Sequence, residues 1–266
     1  MNNVNNVNTM TNFVLMHSNC RGVKSKLQSL NHIVNDLVPD CISLNEHEIR
    51  GKNKVNIDNY HSFSKNRDSK KMGGVSLSVP KDKLSLYIKI KEGDGSDEYI
   101  IVRNDKFTPP LNIVTLYGEI ECRSSKEELF NRWQRFLLDL KKIELRNESI
   151  IIASDLNRKL GNDCLGIKGN HEEISYGGSL VRDLIASGKY IFVNNTDKVE
   201  GGPFTRINPA NVNNKSLLDV IIMSKNLEKF IDKLIIDDNY KYPLQYPMRK
   251  GKQYSGNPTI LHWFCF

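Results

Sequence analysis

Apolar positions fall into short runs that end at polar stops, and two spacings alternate along the chain. Phe13-Val14-Leu15-Met16 reads as a strand that ends at His17-Ser18-Asn19-Cys20-Arg21-Gly22. Val23, Leu27, Leu30, Ile33, Val34 and Leu37 then recur at helical spacing, and Pro39 stops them. Cys41-Ile42-Ser43-Leu44 is a second strand, running into Asn45-Glu46-His47. Strand, helix and strand in this order predict a crossover unit. Asn19 and Glu46 then lie at corresponding ends of two neighbouring strands.

The middle of the chain continues in the same manner. Gly73-Gly74 allow a tight turn before residues 75–79, which alternate as a half-buried strand. Residues 84–90 and 99–103 read as strands of a meander, with Gly93-Asp94-Gly95 as the turn between them. Residues 112–117 form another strand, ending at Tyr117. Ser124, with Glu127 three residues later, fits a helix start. The helix it opens carries Leu129, Phe130, Trp133, Phe136, Leu137 and Leu140 on one face, with Trp133 in the core. Residues 160–178 form a Gly/Asn-rich surface loop, 179–187 a helix and 190–194 a strand. Strands over 216–224 and 259–264 complete the pattern.

One stretch stands out chemically. Ile150-Ile151-Ile152-Ala153 is a buried strand that breaks into Ser154-Asp155-Leu156-Asn157. In α/β sheets, ligands sit beyond the carboxyl ends of strands. Asp155 and Asn157 are two apart and leave the same side of an extended chain. A carboxylate and an amide so placed hold a hard cation or a phosphate. The same pair also fits an Asx-turn, and the local residues leave both readings open. Asp219 sits inside the apolar run of 216–224, where an unpaired carboxylate costs several kcal/mol, so it requires a partner.

Composition narrows the rest. The 266 residues suit one large α/β domain or two small ones, and 39% hydrophobic content is sufficient for a core. A net charge of +7 favours an anionic partner without specifying chemistry. The five cysteines, Cys20, Cys41, Cys122, Cys164 and Cys265, form no C-x-x-C pair, and reduced buried thiols are the simplest account. No apolar run is long enough to span a membrane. The Asn-rich start reads as a frayed tail rather than a signal peptide or an anchor.

The segment SNCRG, the helix after it and PDCISLNEHEI resemble the opening of the endonuclease/exonuclease/phosphatase superfamily. That superfamily contains deoxyribonuclease I, apurinic/apyrimidinic endonucleases and the endonuclease domains of non-LTR (LINE-type) retrotransposons. Four further segments follow in family order. Tyr117 ends a strand, although Tyr117-Gly118-Glu119 departs from the usual Tyr-x-Pro. Asp155-x-Asn157 ends another, with Ser154 in place of the usual Gly. Gly202-Pro203-Phe204-Thr205-Arg206 resembles the family's Phe-Thr segment, and Ser216-Leu217-Leu218-Asp219 precedes an apolar strand. The loop GNDCLGIKGNH, followed by SYGG, resembles the retrotransposon type.

The resemblance implies one deoxyribonuclease I-like domain over residues 12–266, behind a disordered tail over 1–11. Its architecture would be α/β, a four-layer β-sandwich with helices outside two mixed sheets. It implies Glu46 as a ligand of Mg²⁺ (or Mn²⁺), with Asn19 at the metal site. Asp155 would orient or deprotonate water, Asn157 and Tyr117 would fix the phosphate, and Asp219 would orient a catalytic histidine. Arg158, Asn170, Thr205 and Arg206 would contact nucleic acid. The family's C-terminal Asp-His falls on Gly256-Asn257, where Gly256 has no ligand atom and Asn257 no proton to exchange near neutral pH. His262 lies within the final strand and reads as a core or edge histidine.

The reading is a Mg²⁺-dependent phosphodiesterase of the retroelement type that nicks DNA, weakened or silenced by Gly256-Asn257. The alternative is a degenerate copy that binds nucleic acid without cutting it. A phosphatase acting on small phosphoesters or lipid head groups is a third reading. DNA is the expected partner, with no membrane and no obligate protein partner. The expected location is intracellular, and nuclear for a retroelement product.

Overall fold

The computed structural model describes residues 12–67, 73–118, 120–161, 173–208, 211–237 and 260–265. The chain begins with β1 (Asn12–Asn19), α1 (Leu27–Leu37), β2 (Cys41–Asn45), β3 (Tyr60–Lys65) and β4 (Val75–Pro80). It continues through β5 (Tyr87–Glu92), β6 (Tyr99–Asn104), β7 (Leu111–Tyr117), α2 (Lys126–Glu144), β8 (Ser149–Asp155) and α3 (Tyr176–Ala186). Then come β9 (Tyr190–Phe192), β10 (Val199–Gly201), β11 (Arg206–Asn208), β12 (Asn211–Ser216), β13 (Asp219–Ser224), β14 (Ile231–Ile236) and β15 (Ile260–Cys265).

These strands make two mixed sheets and a hairpin. The first sheet has the order β10-β14-β15-β1-β2-β4-β3, the second β5-β6-β7-β8-β13-β9, and β11-β12 pair alone. Parallel pairs β1/β2 and β7/β8 lie at the heart of each sheet, as the strand–helix–strand spacing predicts. The sheets face one another across a core that includes Leu15, Leu77, Ile113, Ile151 and Ile221. Helix α1 covers the outside of the first sheet, packing Leu30, Ile33 and Val34 against Met16, Ile42 and Leu44. Helices α2 and α3 cover the second, setting Phe136, Leu140 and Val181 against Val114, Ile150 and Ile152. The result is the expected α/β four-layer sandwich. Both faces of its central strands are buried, which is why they read as unbroken apolar runs. Each fully buried Ile or Leu contributes about 1.5–3 kcal/mol.

Several local expectations shift. The first helix opens as a 3₁₀ turn over Lys24–Lys26 and ends at Val38, whose φ of +45° breaks the helix before Pro39. Strand β4 is buried on both faces, because its polar positions are small serines and Ser78 pairs its hydroxyl with Ser62 at 2.7 Å. Residues 81–86 form a 3₁₀ turn, so the meander strand starts at Tyr87. Helix α3 starts at Tyr176, capped by Ser175, three residues earlier than the apolar spacing shows. Strand β9 stops at Phe192, where a 3₁₀ turn takes over. Trp133 is only partly buried, packed on the rim of the α2 cluster. Cys20 and Cys41 are buried free thiols, and burial pushes the Cys20 thiol up to about 12. Among the described residues, no helix is long and apolar enough to cross a membrane.

The cap of α2 is Ser125, one residue later than expected, in a capping box with Glu128. The Ser125 hydroxyl accepts from the Glu128 N–H at 3.1 Å, and Glu128 accepts from the Ser125 N–H at 2.9 Å. Ser125→Ala is expected to lower stability by about 1 kcal/mol in urea unfolding. Ser124→Ala, outside the box, is expected to leave the midpoint within error.

Candidate active site

The ends of four strands and the start of a fifth meet at one edge of the sandwich. Parallel pairing sets Asn19 of β1 opposite Asn45 of β2, and Tyr117 of β7 opposite Asp155 of β8. Antiparallel β13 sets Asp219 opposite Asp155. Four of the residues singled out in the sequence therefore come together: Asn19, Tyr117, Asp155 and Asp219. Glu46, one residue beyond β2, joins them through backbone geometry that the sequence does not announce. Its φ is +52°, in the left-handed region that a Glu rarely adopts. The turn is held by the Gly22 N–H donating to the Glu46 carbonyl at 2.7 Å and the Cys20 N–H donating to the Asn45 carbonyl at 2.9 Å.

The Asn19 amide nitrogen is the hub. It donates to Glu46 Oε1 at 2.7 Å and to Asp155 Oδ2, so one side chain joins carboxylates from both sheets. Its Oδ1 accepts from the Arg21 N–H at 3.1 Å. Asn19 thus meets the carboxylates as a donor; the face it turns to them has no lone pair for a metal. The Tyr117 hydroxyl also donates to Glu46 Oε1, at 3.1 Å. Burial, then the neighbouring carboxylates Glu46 and Asp155, raise the Tyr117 hydroxyl well above its ordinary pKa.

Asn157 lies at φ +49° and folds its backbone N–H onto Asp155 Oδ1 at 3.1 Å. This is the Asx-type turn that the local sequence leaves open, and it coexists with the site. The Asn157 side chain donates one amide proton to the Gly118 carbonyl at 2.8 Å. Gly118 in turn gives its N–H to the Asp155 carbonyl at 2.8 Å. A Cβ at Gly118 would fall on the Leu156 carbonyl oxygen, which explains why this position carries no side chain.

Glu46, Asp155 and Asp219 are each at most 3% exposed. Burial and the facing Asp219 carboxylate lift the Asp155 carboxyl well above the usual range, while the Asn19 hydrogen bond opposes this. Among the described residues, Glu46 Oε2 and both Asp219 carboxylate oxygens are buried without a hydrogen-bond partner. Among the described residues, no group of three or more His, Cys, Asp or Glu is arranged to hold a metal ion. Mg²⁺ needs fewer, since it keeps several waters and takes one or two carboxylates. A hard oxygen donor left orphaned at Glu46 fits that requirement.

The residue that the sequence reading missed is His17. It is fully buried on β1, with Nε2 3.4 Å from Asp219 Oδ1 and Nδ1 2.9 Å from the Ser43 hydroxyl. Asp219 was expected to find its partner near the C-terminus, and among the described residues an imidazole from the first strand faces it instead. The i, i+2 spacing of His17 and Asn19 was the available signal, since both leave the same side of β1.

Other expected residues are placed differently. Thr205 is fully buried, and its hydroxyl accepts the Leu218 and Asp219 N–H groups, each at 2.9 Å. It clamps the entry to β13 and does not offer its hydroxyl to nucleic acid. Arg158 is half-buried, 3.6 Å from Glu121. Arg206 is half-buried at the start of β11. Asn170, Gly256 and Asn257 lie outside the described residues. His262 is within β15, in register with Leu15 and Leu234.

No family model and no curated protein matches this sequence. Solved structures do. An AP endonuclease from Leishmania major superposes with a TM-score of 0.70 at 12% identity, over 96% of this chain and 88% of the other. The chain has the deoxyribonuclease I-like fold. The same fold appears in the endonuclease domain of TRAS1, a telomere-specific non-LTR retrotransposon (TM-score 0.67, 13% identity, 96% and 99% covered). It also appears in the 3′ phosphatase NExo from Neisseria, solved with product DNA hairpin (TM-score 0.69, 14% identity, 96% and 100% covered).

Gly118→Ala tests how tightly this edge is built. Displacing the Leu156 backbone is expected to cost about 1–3 kcal/mol in chemical unfolding. Gly95→Ala serves as a control. Its φ of +53° brings a backbone penalty that Gly118 does not have, but nothing lies near its Cβ, so about 1 kcal/mol or less is expected.

Proposed function

We propose that this chain is a metal-dependent phosphodiesterase that nicks DNA. The observation that carries the reading is the joining of Glu46 and Asp155, from opposite sheets, through the Asn19 amide. The endonuclease and 3′ phosphatase activities named for the structural neighbours support a phosphodiester or phosphate-ester substrate. The net charge of +7 supports an anionic polymer.

Glu46, through Oε2, would hold Mg²⁺ or Mn²⁺. When bound, the ion supplies charge neutralisation at the phosphate and at the leaving oxygen. The chain's own groups do the rest. Asp155, lifted toward neutrality by burial and Asp219, is a better proton acceptor from water than an exposed carboxylate. Asn157 keeps a second amide proton for a phosphoryl oxygen, and the Tyr117 hydroxyl, whose one proton is given to Glu46 Oε1, would have to turn from that carboxylate to reach the phosphate. Asn19 holds the two carboxylates at a fixed separation and is a positioning residue.

A second reading is a DNA-binding domain that does not cut. The Gly256-Asn257 pair favours it, because a missing acid–base group costs about 10²–10⁴-fold. Supercoiled plasmid separates the two. With Mg²⁺, the parent chain is expected to nick, EDTA to stop it, and Asp155→Ala to reduce it by at least ~10²-fold. A parent that shifts plasmid in a gel but never nicks it, and that gains nicking on Gly256→Asp with Asn257→His, makes the second reading correct. A retroelement origin, with nicking at a preferred target sequence, is the finer proposal. It predicts clustered nick sites when plasmid products are mapped by primer extension.

A further inference from the structure

We propose that His17 is a positioning residue of this site, presenting a proton from Nε2 to the Asp219 carboxylate from inside the sandwich. The inference rests on the phosphodiesterase reading above and adds a residue to it. Asp219 is 1% exposed, and among the described residues neither its carboxylate oxygens nor His17 Nε2 has a hydrogen bond of ordinary geometry. Its own N–H is taken by Thr205. A buried carboxylate left alone is costly, and the group that faces it is the His17 ring, at 3.4 Å. The His17 side chain is fully buried, so it does not reach a substrate and acts through Asp219.

What fixes the ring is a chain of hydroxyls crossing between the sheets. Thr115 on β7 donates to the Ser43 hydroxyl on β2 at 3.0 Å. Ser43 accepts that bond and keeps its own proton, and the Asp219 carboxylate facing the other ring nitrogen favours giving that proton to His17 Nδ1, 2.9 Å away. Accepting at Nδ1 leaves the ring proton on Nε2, the nitrogen that faces Asp219. Four groups from β7, β2, β1 and β13 thus form one line. Its end is the residue paired in register with Asp155. A change in where the Asp219 carboxylate points therefore alters the field at Asp155, the group expected to receive the proton from water. The relay does in the interior what a C-terminal histidine would do from a loop: it gives Asp219 a partner.

The test has two arms, and one does not depend on catalysis. In ¹⁵N-histidine NMR of the parent chain, His17 is expected to show a protonated Nε2, and its signal to move in Asp219→Asn and in Ser43→Ala. An unprotonated Nε2, or no response to Asp219→Asn, overturns the proposal. In the kinetic arm, His17→Leu removes the donor and His17→Gln keeps an N–H near the Nε2 position. His17→Leu is expected to lower kcat about tenfold or more with little change in KM, and His17→Gln to restore most of it. Equal losses in two variants that both stay folded by circular dichroism mean that the ring only fills space, and overturn the proposal. Unchanged kcat in His17→Leu does the same. If the parent cuts no DNA, the phosphodiesterase reading fails while the NMR arm still decides whether the His17–Asp219 pair exists.

Discussion

The structure turns on one amide bridging two carboxylates across a β-sandwich. Two sheets stacked face to face are held by non-directional apolar contact, which sets their distance but not their sliding position. At the edge where β1, β2, β7, β8 and β13 meet, directional bonds take over. Asn19 reaches Glu46 and Asp155. Asn45 donates across the gap to the Leu116 carbonyl at 2.8 Å, and Thr115 reaches Ser43. These contacts fix the register of one sheet against the other where chemistry requires it. Elsewhere the facing surfaces are mostly apolar, with further polar links such as the Tyr87 hydroxyl donating to the Asp40 carbonyl at 3.1 Å.

The same edge concentrates unfavourable terms. Two residues, Glu46 and Asn157, sit in left-handed backbone, and three carboxylates are buried close together, with three of their oxygens unpaired among the described residues. A fold optimised only for stability would replace them with apolar groups. Their retention at a single place, where the strands end, separates this edge from the structural polar pairs elsewhere, such as Asp97 with Arg135.

Much of this was legible in the sequence, and the limits have physical causes. Apolar runs ending at Asn19, Glu46, Tyr117 and Asp155 gave strands whose ends converge, because parallel pairing puts equivalent ends together. His17 was not legible as a partner of Asp219. Strand β1 is buried on both faces, so no alternation marks which residues point inward, and the two residues are far apart in sequence. Thr205 enters as a nucleic-acid contact only through the resemblance of Gly202-Pro203-Phe204-Thr205-Arg206 to the family's Phe-Thr segment. Only the tertiary structure shows its hydroxyl absorbing two backbone donors. The cap at Ser125 was missed by one residue because two adjacent serines precede two adjacent glutamates, and either spacing satisfies the motif.

The position of β15 has a consequence for how the molecule assembles. It lies between β14 and β1 in the first sheet, pairing antiparallel with both. The first strand of the chain therefore waits for residues 260–265 before one of its edges is covered. During synthesis, β1 with β2, β4 and β3 makes a four-stranded fragment with an open edge, and β10 with β14 makes another. The late strand closes both at once, pairing residues 12–17 with residues 260–265, a contact of very large sequence separation. Such closure is slow, and an apolar edge left open meanwhile is a template for mispairing. Ribosome pausing or chaperone contact over that interval would act on the yield of folded protein without touching the finished site.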